Sequence, residues 1–166
     1  MVRTKTTQIG LRQYNYKLQL NQKLNIAISS YRSAPFGGGQ GIFIYELSKA
    51  LQSLGHIVDI ISGPPYPNLE PKINLIRSPG LNLFSTFVFK ERLKIFLNKK
   101  NKSLDDWYEF SSTLLGGFPE IRTFGNRLSY LLQNSSYDIL IDNQSLSFGV
   151  LQVQNKIPVI EIVHHP

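Results

Sequence analysis

The chain has 166 residues, 42% hydrophobic and 17% charged, a balance that fits one domain with a buried core and excludes a wholly disordered polypeptide. It contains no cysteine, which removes disulfides, thiolate metal sites and a cysteine nucleophile, and suits a reducing cytosol. The net charge of +7 fits a nucleic acid, an anionic membrane surface or a phosphorylated ligand, and fits plain solubility equally well.

Residues 1–22 read as a basic N-terminal extension with Arg3, Lys5, Arg12 and Lys17 spread through it. Tyr14, Tyr16, Leu18 and Leu20 alternate with polar residues, which fits a short edge strand or a loose tail. Residues 23–166 form the domain proper. Leu24 to Ser30 is an isoleucine-rich run that predicts a buried strand. A turn with the cluster Gly37-Gly38-Gly39-Gln40-Gly41 follows, and then a helix. Phe43, Leu47, Ala50, Leu51 and Leu54 share one face of that helix at a 3.6-residue period, and Gly55 stops it.

His56 to Ser62 predicts a second strand. Gly63-Pro64-Pro65-Tyr66-Pro67 is a loop, because proline disrupts both helix and central strand. Ile73 to Ile76 is a short third strand. Residues 84–102 include a helix with cations on every side, which presents no clean membrane-binding face. A further helix opens near Pro119, with Ile121, Phe124, Leu128, Leu131 and Leu132 on one face. Tyr137 to Asp142 is a fourth strand, Leu146 to Val153 a short helix and Pro158 to Val163 a fifth strand.

Strands alternating with helices predict an α/β fold, a Rossmann-like parallel sheet with right-handed crossovers. Such sheets bind ligands beyond the carboxyl ends of their strands. Three segments fall on that rim. The glycine turn leads into a helix N-terminus, where free N–H groups and the helix dipole favour an anion. Ile42 stands where the last glycine of G-x-G-x-x-G would be, counting from Gly37, and no Lys-Ser/Thr follows as in a Walker A loop. The second strand ends in Ser62-Gly63 and lacks the acidic residue that holds an adenosine ribose. The turn therefore departs from a dinucleotide site. Asp142-Asn143-Gln144 supplies hydrogen-bonding side chains, either to a ligand or as caps of the next helix. His164-His165 would bind a hydroxyl or phosphate or move a proton; adjacent residues of an extended chain point apart, which argues against a shared metal.

His56 and Asp59 read as structural, and Asp105-Asp106 as a helix cap before Trp107. No HExxH motif and no Ser-His-Asp order occurs. No metal site and no cofactor is expected. Basic residues interleave with aromatics at 84–102, but no nucleic-acid motif accompanies them, so nucleic acid is not expected as a partner.

The stretch from Leu24 to Pro67 resembles the opening of glycosyltransferase family 4, the retaining GT-B enzymes. The matching residues are Gly38-Gly39-Gln40-Gly41, Tyr45-Glu46-Leu47-Ser48-Lys49-Ala50-Leu51 and Gly55-His56-Ile57-Val58. Gly117 to Phe124, Asp142 to Leu146 and Pro158 to Pro166 are similar to later segments of a bacterial subgroup. The ordered set, at matched spacing over residues 24–166, carries the resemblance. It implies one half of a GT-B fold, an acceptor-side domain of a hexosyltransferase that works with a nucleotide-diphosphate sugar, with retention and without metal. It assigns Gly38, Gly39, Gln40 and Gly41 to the donor phosphate, His164 to catalysis, and Asp142, Asn143, Gln144 and His165 to the acceptor. The acceptor would be a glycan, a lipid or a small molecule. The C-terminal donor domain is missing from this chain, or is carried on a separate one, so the 166 residues alone are expected to be inactive. The implied location is cytoplasmic, with room for peripheral contact at the inner face of the membrane. The rival readings are an NAD(P)-dependent oxidoreductase domain and a non-catalytic module that binds a membrane or a partner.

Overall fold

A computed structural model describes residues 22–35 and 39–164. The edge strand considered at Tyr14 to Leu20, and nearly all of the basic extension, lie outside the described residues. Gly37, Gly38 and His165 do so too.

Five strands form one parallel sheet in the order β3-β2-β1-β4-β5. They are β1 (Asn25–Ser30), β2 (Ile57–Ser62), β3 (Asn74–Arg77), β4 (Ile139–Asn143) and β5 (Val159–Ile162). The helices are α1 (Gly39–Ser53), α2 (Phe89–Asn98), α3 (Leu104–Leu114), α4 (Glu120–Leu132) and α5 (Phe148–Val153). This is the Rossmann-like α/β arrangement expected from the alternation of strand and helix patterns. No helix among the described residues is long and apolar enough to cross a membrane.

The strand register explains where the core lies. Successive side chains point to opposite faces of a sheet. One face carries Ile26, Ile28, Val58, Ile60 and Ile141, which pack against Ile44, Leu47 and Leu51 of α1. The other carries Ala27, Ile61 and Leu140, which pack against Phe124, Leu128 and Leu132 of α4 and Val150 and Val153 of α5. Each fully buried leucine or phenylalanine here contributes about 1.5–3 kcal/mol. Helices α4 and α5 meet at glycines: a Cβ on Gly149 would stand 2.0 Å from the Gly125 carbonyl oxygen, so neither position has room for a side chain.

The sequence pattern misplaced part of the α1 face. The buried stripe of α1 is Gly41, Ile44 and Ser48, with Leu54 73% exposed and Ala50 exposed. Small residues let the helix come close to the chain beneath it; of the expected face Leu47 and Leu51 pack against the sheet, while Ala50 and Leu54 turn outward. Residues 84–102 include one helix, as expected, at Phe89–Asn98, preceded by a 3-10 turn at Leu83–Ser85. Next comes α3, anticipated by the helix cap at Asp105-Asp106. Its N-cap is Ser103, and Asp106 closes a capping box by accepting from the Ser103 backbone amide at 2.7 Å. Phe96 of α2 stacks on Phe110 of α3 with ring centroids 4.4 Å apart, tying these two helices together.

Candidate functional site

The carboxyl ends of the strands bring several of the expected residues together. The sheet register sorts them onto two faces. On the α1 face stand Ser30, Asn143 and His164. The opposite face holds Ser29, Asp142 and Glu161, which are neighbours across β1, β4 and β5.

The α1 face carries a directed hydrogen-bond relay. The Ser30 hydroxyl donates to the Arg32 carbonyl at 2.7 Å. The Asn143 amide donates to the Ser30 oxygen at 3.4 Å. That leaves the Asn143 Oδ1 as acceptor, 2.6 Å from His164 Nε2. A neutral imidazole held this way carries its proton on Nε2, and Nδ1 keeps the lone pair. The His164 ring also meets Phe43 of α1 edge to face, with centroids 5.0 Å apart. Gln40, in the first turn of α1, donates to Gln144 at 3.4 Å. Gln144 has φ 58°, a left-handed backbone that turns the chain sharply off β4. So Gln40, Asn143, Gln144 and His164 gather at one point beside the N-terminus of α1.

Helix α1 starts at Gly39, two residues earlier than a glycine loop through Gly41 would place it. Its first-turn amides have no intrahelical partner and face the rim. Gly41 is there for packing. A Cβ at that position would lie 2.1 Å from the Ala34 carbonyl oxygen, whereas one at Gly39 would meet nothing within 4 Å.

The opposite face is a buried polar row. Asp142 is fully buried. One of its oxygens accepts from the Ser29 hydroxyl, and the other from the Ser145 amide at 2.9 Å and hydroxyl at 2.6 Å. Asp142 thus braces the turn after β4. The cap of α5 is Ser147, whose hydroxyl accepts from the Val150 amide. Burial, reinforced by the Asp142 carboxylate beside it, pushes the Glu161 carboxyl up to about 8. Glu161 was not among the residues singled out from the sequence.

A second polar cluster lies on the β2–β3 side of the rim. Glu109 of α3 is buried and saturated. It accepts from Arg127 Nη1 at 3.1 Å, from the Thr123 hydroxyl at 2.5 Å and from the Leu81 amide at 2.9 Å. Glu120, the first residue of α4, is 7% exposed, and neither of its carboxylate oxygens has a hydrogen-bond partner. Arg32 Nε approaches it at 3.7 Å. Burial raises the Glu120 carboxyl to about 7 against the pull of Arg32. In the sequence Glu120 is simply one residue of the segment Gly117 to Phe124. Nothing in the local pattern announces that it is buried. His56 and Asp59 hold structure, as expected: His56 Nδ1 accepts from the Leu24 amide at 3.3 Å, and Asp59 accepts from the Tyr137 hydroxyl at 2.6 Å.

The chain is similar to the MMP α-(1→4)-mannosyltransferase of Mycolicibacterium hassiacum, 37% identical over 147 residues, covering 86% of this chain and 35% of that protein. It therefore spans about a third of the length of that relative. No protein-family model matches. Among solved structures, the C-terminal domain of a hydrogenase from Pyrococcus furiosus superposes with a TM-score of 0.43 at 16% identity, covering 86% of this chain and 95% of that one. That score is too low to bear on function.

Proposed function

We propose that this chain is the acceptor-side domain of a retaining glycosyltransferase of family 4, one half of a GT-B enzyme, acting with a donor domain that these residues do not include. The observation that carries the reading is the 37% identity to a mannosyltransferase over most of the chain. The rim geometry supports it. First-turn amides of α1 at Gly39, Gln40 and Gly41 suit the diphosphate of a nucleotide sugar, because they are donors at the positive end of a helix. His164, oriented by Asn143, would contact the transferring sugar or the departing phosphate through the Nδ1 edge of its ring. The bond from the anomeric carbon to the phosphate oxygen breaks. A bond to the acceptor oxygen forms on the same face, and the acceptor's proton ends on the departing phosphate. Donors aimed at that phosphate stabilise the charge that develops there. Gln144 and Asn143 would stand on the acceptor side, with Asp142 bracing them from beneath. No metal is required by this scheme. The location we assign is the cytoplasm, with peripheral membrane contact available to the basic surface.

The test is a chimera. The segment of the mannosyltransferase relative that aligns with this chain is replaced by this chain, and mannose transfer from a radiolabelled nucleotide-diphosphate mannose is followed. The chimera transfers label, and His164→Ala in it lowers turnover by about 10²-fold. A folded chimera that binds the donor yet transfers nothing overturns the reading.

A further inference from the structure

The cavity bounded by Tyr31, Gly80, Asn82, Glu109 and Glu120 gathers most of the unpartnered buried acceptors among the described residues; the remaining one is Glu161 Oε1, at the β5 end of the rim. The cavity is narrow, about 10 Å³, enough for a single oxygen-sized group. Buried acceptors in it have no hydrogen-bond partner among the described residues: the Asn82 Oδ1 and both oxygens of Glu120, one of which Arg32 approaches at 3.7 Å. Asn82 is held there by a left-handed backbone, φ 54°. The neighbouring carboxylate, Glu109, is fully engaged, so the lack of partners is confined to one side of the cavity. Unpaired buried acceptors cost free energy, and a donor would recover it.

The surroundings restrict the donor. Arg32 lies 3.7 Å from Glu120 and Arg127 pairs with Glu109 at 3.1 Å, so the two carboxylates are already balanced by two guanidinium groups and the cavity holds no net negative charge to draw in a cation. A neutral hydroxyl needs no such charge. Beside the cavity stands an aromatic ledge. Phe84 and Phe118 have ring centroids 4.3 Å apart, and Tyr31 meets Phe118 edge to face at 6.3 Å. Phe118 is 47% exposed. A group of hydroxyls attached to an apolar C–H face is the chemistry of a sugar ring.

We propose that this cavity is a sugar-recognition subsite, in which one hydroxyl of a neutral pyranose enters beside Asn82 and donates its proton to Glu120 while the C–H face of the ring rests on Phe118 and Tyr31. The choice of a sugar as ligand rests on the transferase reading. The subsite moves the centre of acceptor recognition away from Asp142 to Gln144 and toward the exits of β1, β2 and β3. Glu120 is then a specificity-determining residue, because it rewards a pyranose with a hydroxyl at the inserted position and rejects one without it.

The ¹⁵N-labelled 166-residue chain is titrated with methyl α-mannopyranoside and, separately, with methylammonium chloride, following backbone amide shifts. The pyranoside moves the amides of Tyr31, Asn82, Phe118 and Glu120 and leaves those of Asn143 and His164 in place. Glu120→Ala weakens this binding by about tenfold, as expected for losing hydrogen bonds to a carboxylate. Glu120→Gln keeps one acceptor and falls between the two, and Phe118→Ala weakens binding with the fold intact. Three results would each overturn the proposal: no pyranoside shifts at these residues (a resident water only), unchanged binding in a well-dispersed Glu120→Ala spectrum, or tighter binding of methylammonium than of the pyranoside. An active chimera with a sugar-blind cavity refutes only this inference. An inert chimera beside a sugar-binding cavity refutes only the transferase reading.

Discussion

Replacing Glu120 by glutamine should stabilise the fold at alkaline pH and do little at acidic pH. Glu120 is buried at the start of α4, faced by Arg32 and Arg127, which favour its charge, and by Glu109, which opposes it. The Phe84 amide lies near enough to favour the charge slightly, yet neither carboxylate oxygen gains a hydrogen bond. Burial wins, and the carboxyl rises from its ordinary 4.5 to about 7. The folded protein therefore holds this proton more tightly than the unfolded chain. Stability from this site is fully present below pH 4.5 and is lost as pH rises through about 7. At about 1.4 kcal/mol per pH unit, that interval is worth roughly 3 kcal/mol, and about 2 kcal/mol after allowing for residual solvent contact. Glutamine has no proton to lose. Urea unfolding of both proteins, followed by far-ultraviolet circular dichroism, should give equal stabilities near pH 4.5 and a variant ahead by about 2 kcal/mol at pH 8. Glu161 also titrates above the usual carboxylate range, but it is common to both proteins and cancels in the difference. Parallel stability profiles, or a difference that shrinks as pH rises, would refute the reasoning.

Two further outcomes follow from the site. Gly41→Ala should lower stability by about 1–3 kcal/mol, because its Cβ would overlap the Ala34 carbonyl oxygen, while Gly39→Ala should be nearly neutral; thermal unfolding of the pair separates packing from a general intolerance of the glycine turn. Asn143→Leu should cost about 1–3 kcal/mol and release His164 from a single tautomer; long-range ¹H–¹⁵N spectra of the ring would then show Nδ1-protonated imidazole alongside the Nε2 form, and an unchanged ring spectrum would count against the relay.

Much of the fold was legible because the strands are built from short isoleucine-rich runs between strong turn signals. Each of β1, β2, β4 and β5 appears within a residue or two of its expected place. Only part of the α1 contact line was legible: Leu47 and Leu51 pack as their spacing predicts, whereas Gly41 and Ser48 escape a hydrophobic pattern, which weights large side chains. Helix α3 was announced by the Asp105-Asp106 cap signal before Trp107, but the N-cap itself is Ser103, whose capping box closes on Asp106. On the rim, the positions of Asn143 and His164 after β4 and β5 could be read from element order alone. Their hydrogen bond joins residues 21 apart in the chain and needs the pairing of β4 with β5. Glu109, Glu120 and Arg127 come from two helices, and the loop after β3 closes over them. Nothing in a local window predicts that arrangement.

The two sides of the rim differ in what they leave undone. Around α1 the donors and acceptors run in one direction, from His164 through Asn143 and Ser30 to a backbone carbonyl, so that side presents one oriented imidazole beside the first turn of a helix. Preorganised donors of that kind suit a charge that appears during a reaction. Beyond β1 the same rim leaves Glu120 and the Asn82 Oδ1 without hydrogen-bond partners inside a cavity that their own side chains do not fill. Acceptors of that kind suit a ligand that brings its own donors. A sheet edge so divided, with fixed donors at one end and open acceptors at the other, has the polarity needed to hold an anionic leaving group and a hydroxylated acceptor at the same time. The β1 exit, Ser30 to Arg32, belongs to both ends: Ser30 takes the Asn143 amide, and Arg32 faces Glu120.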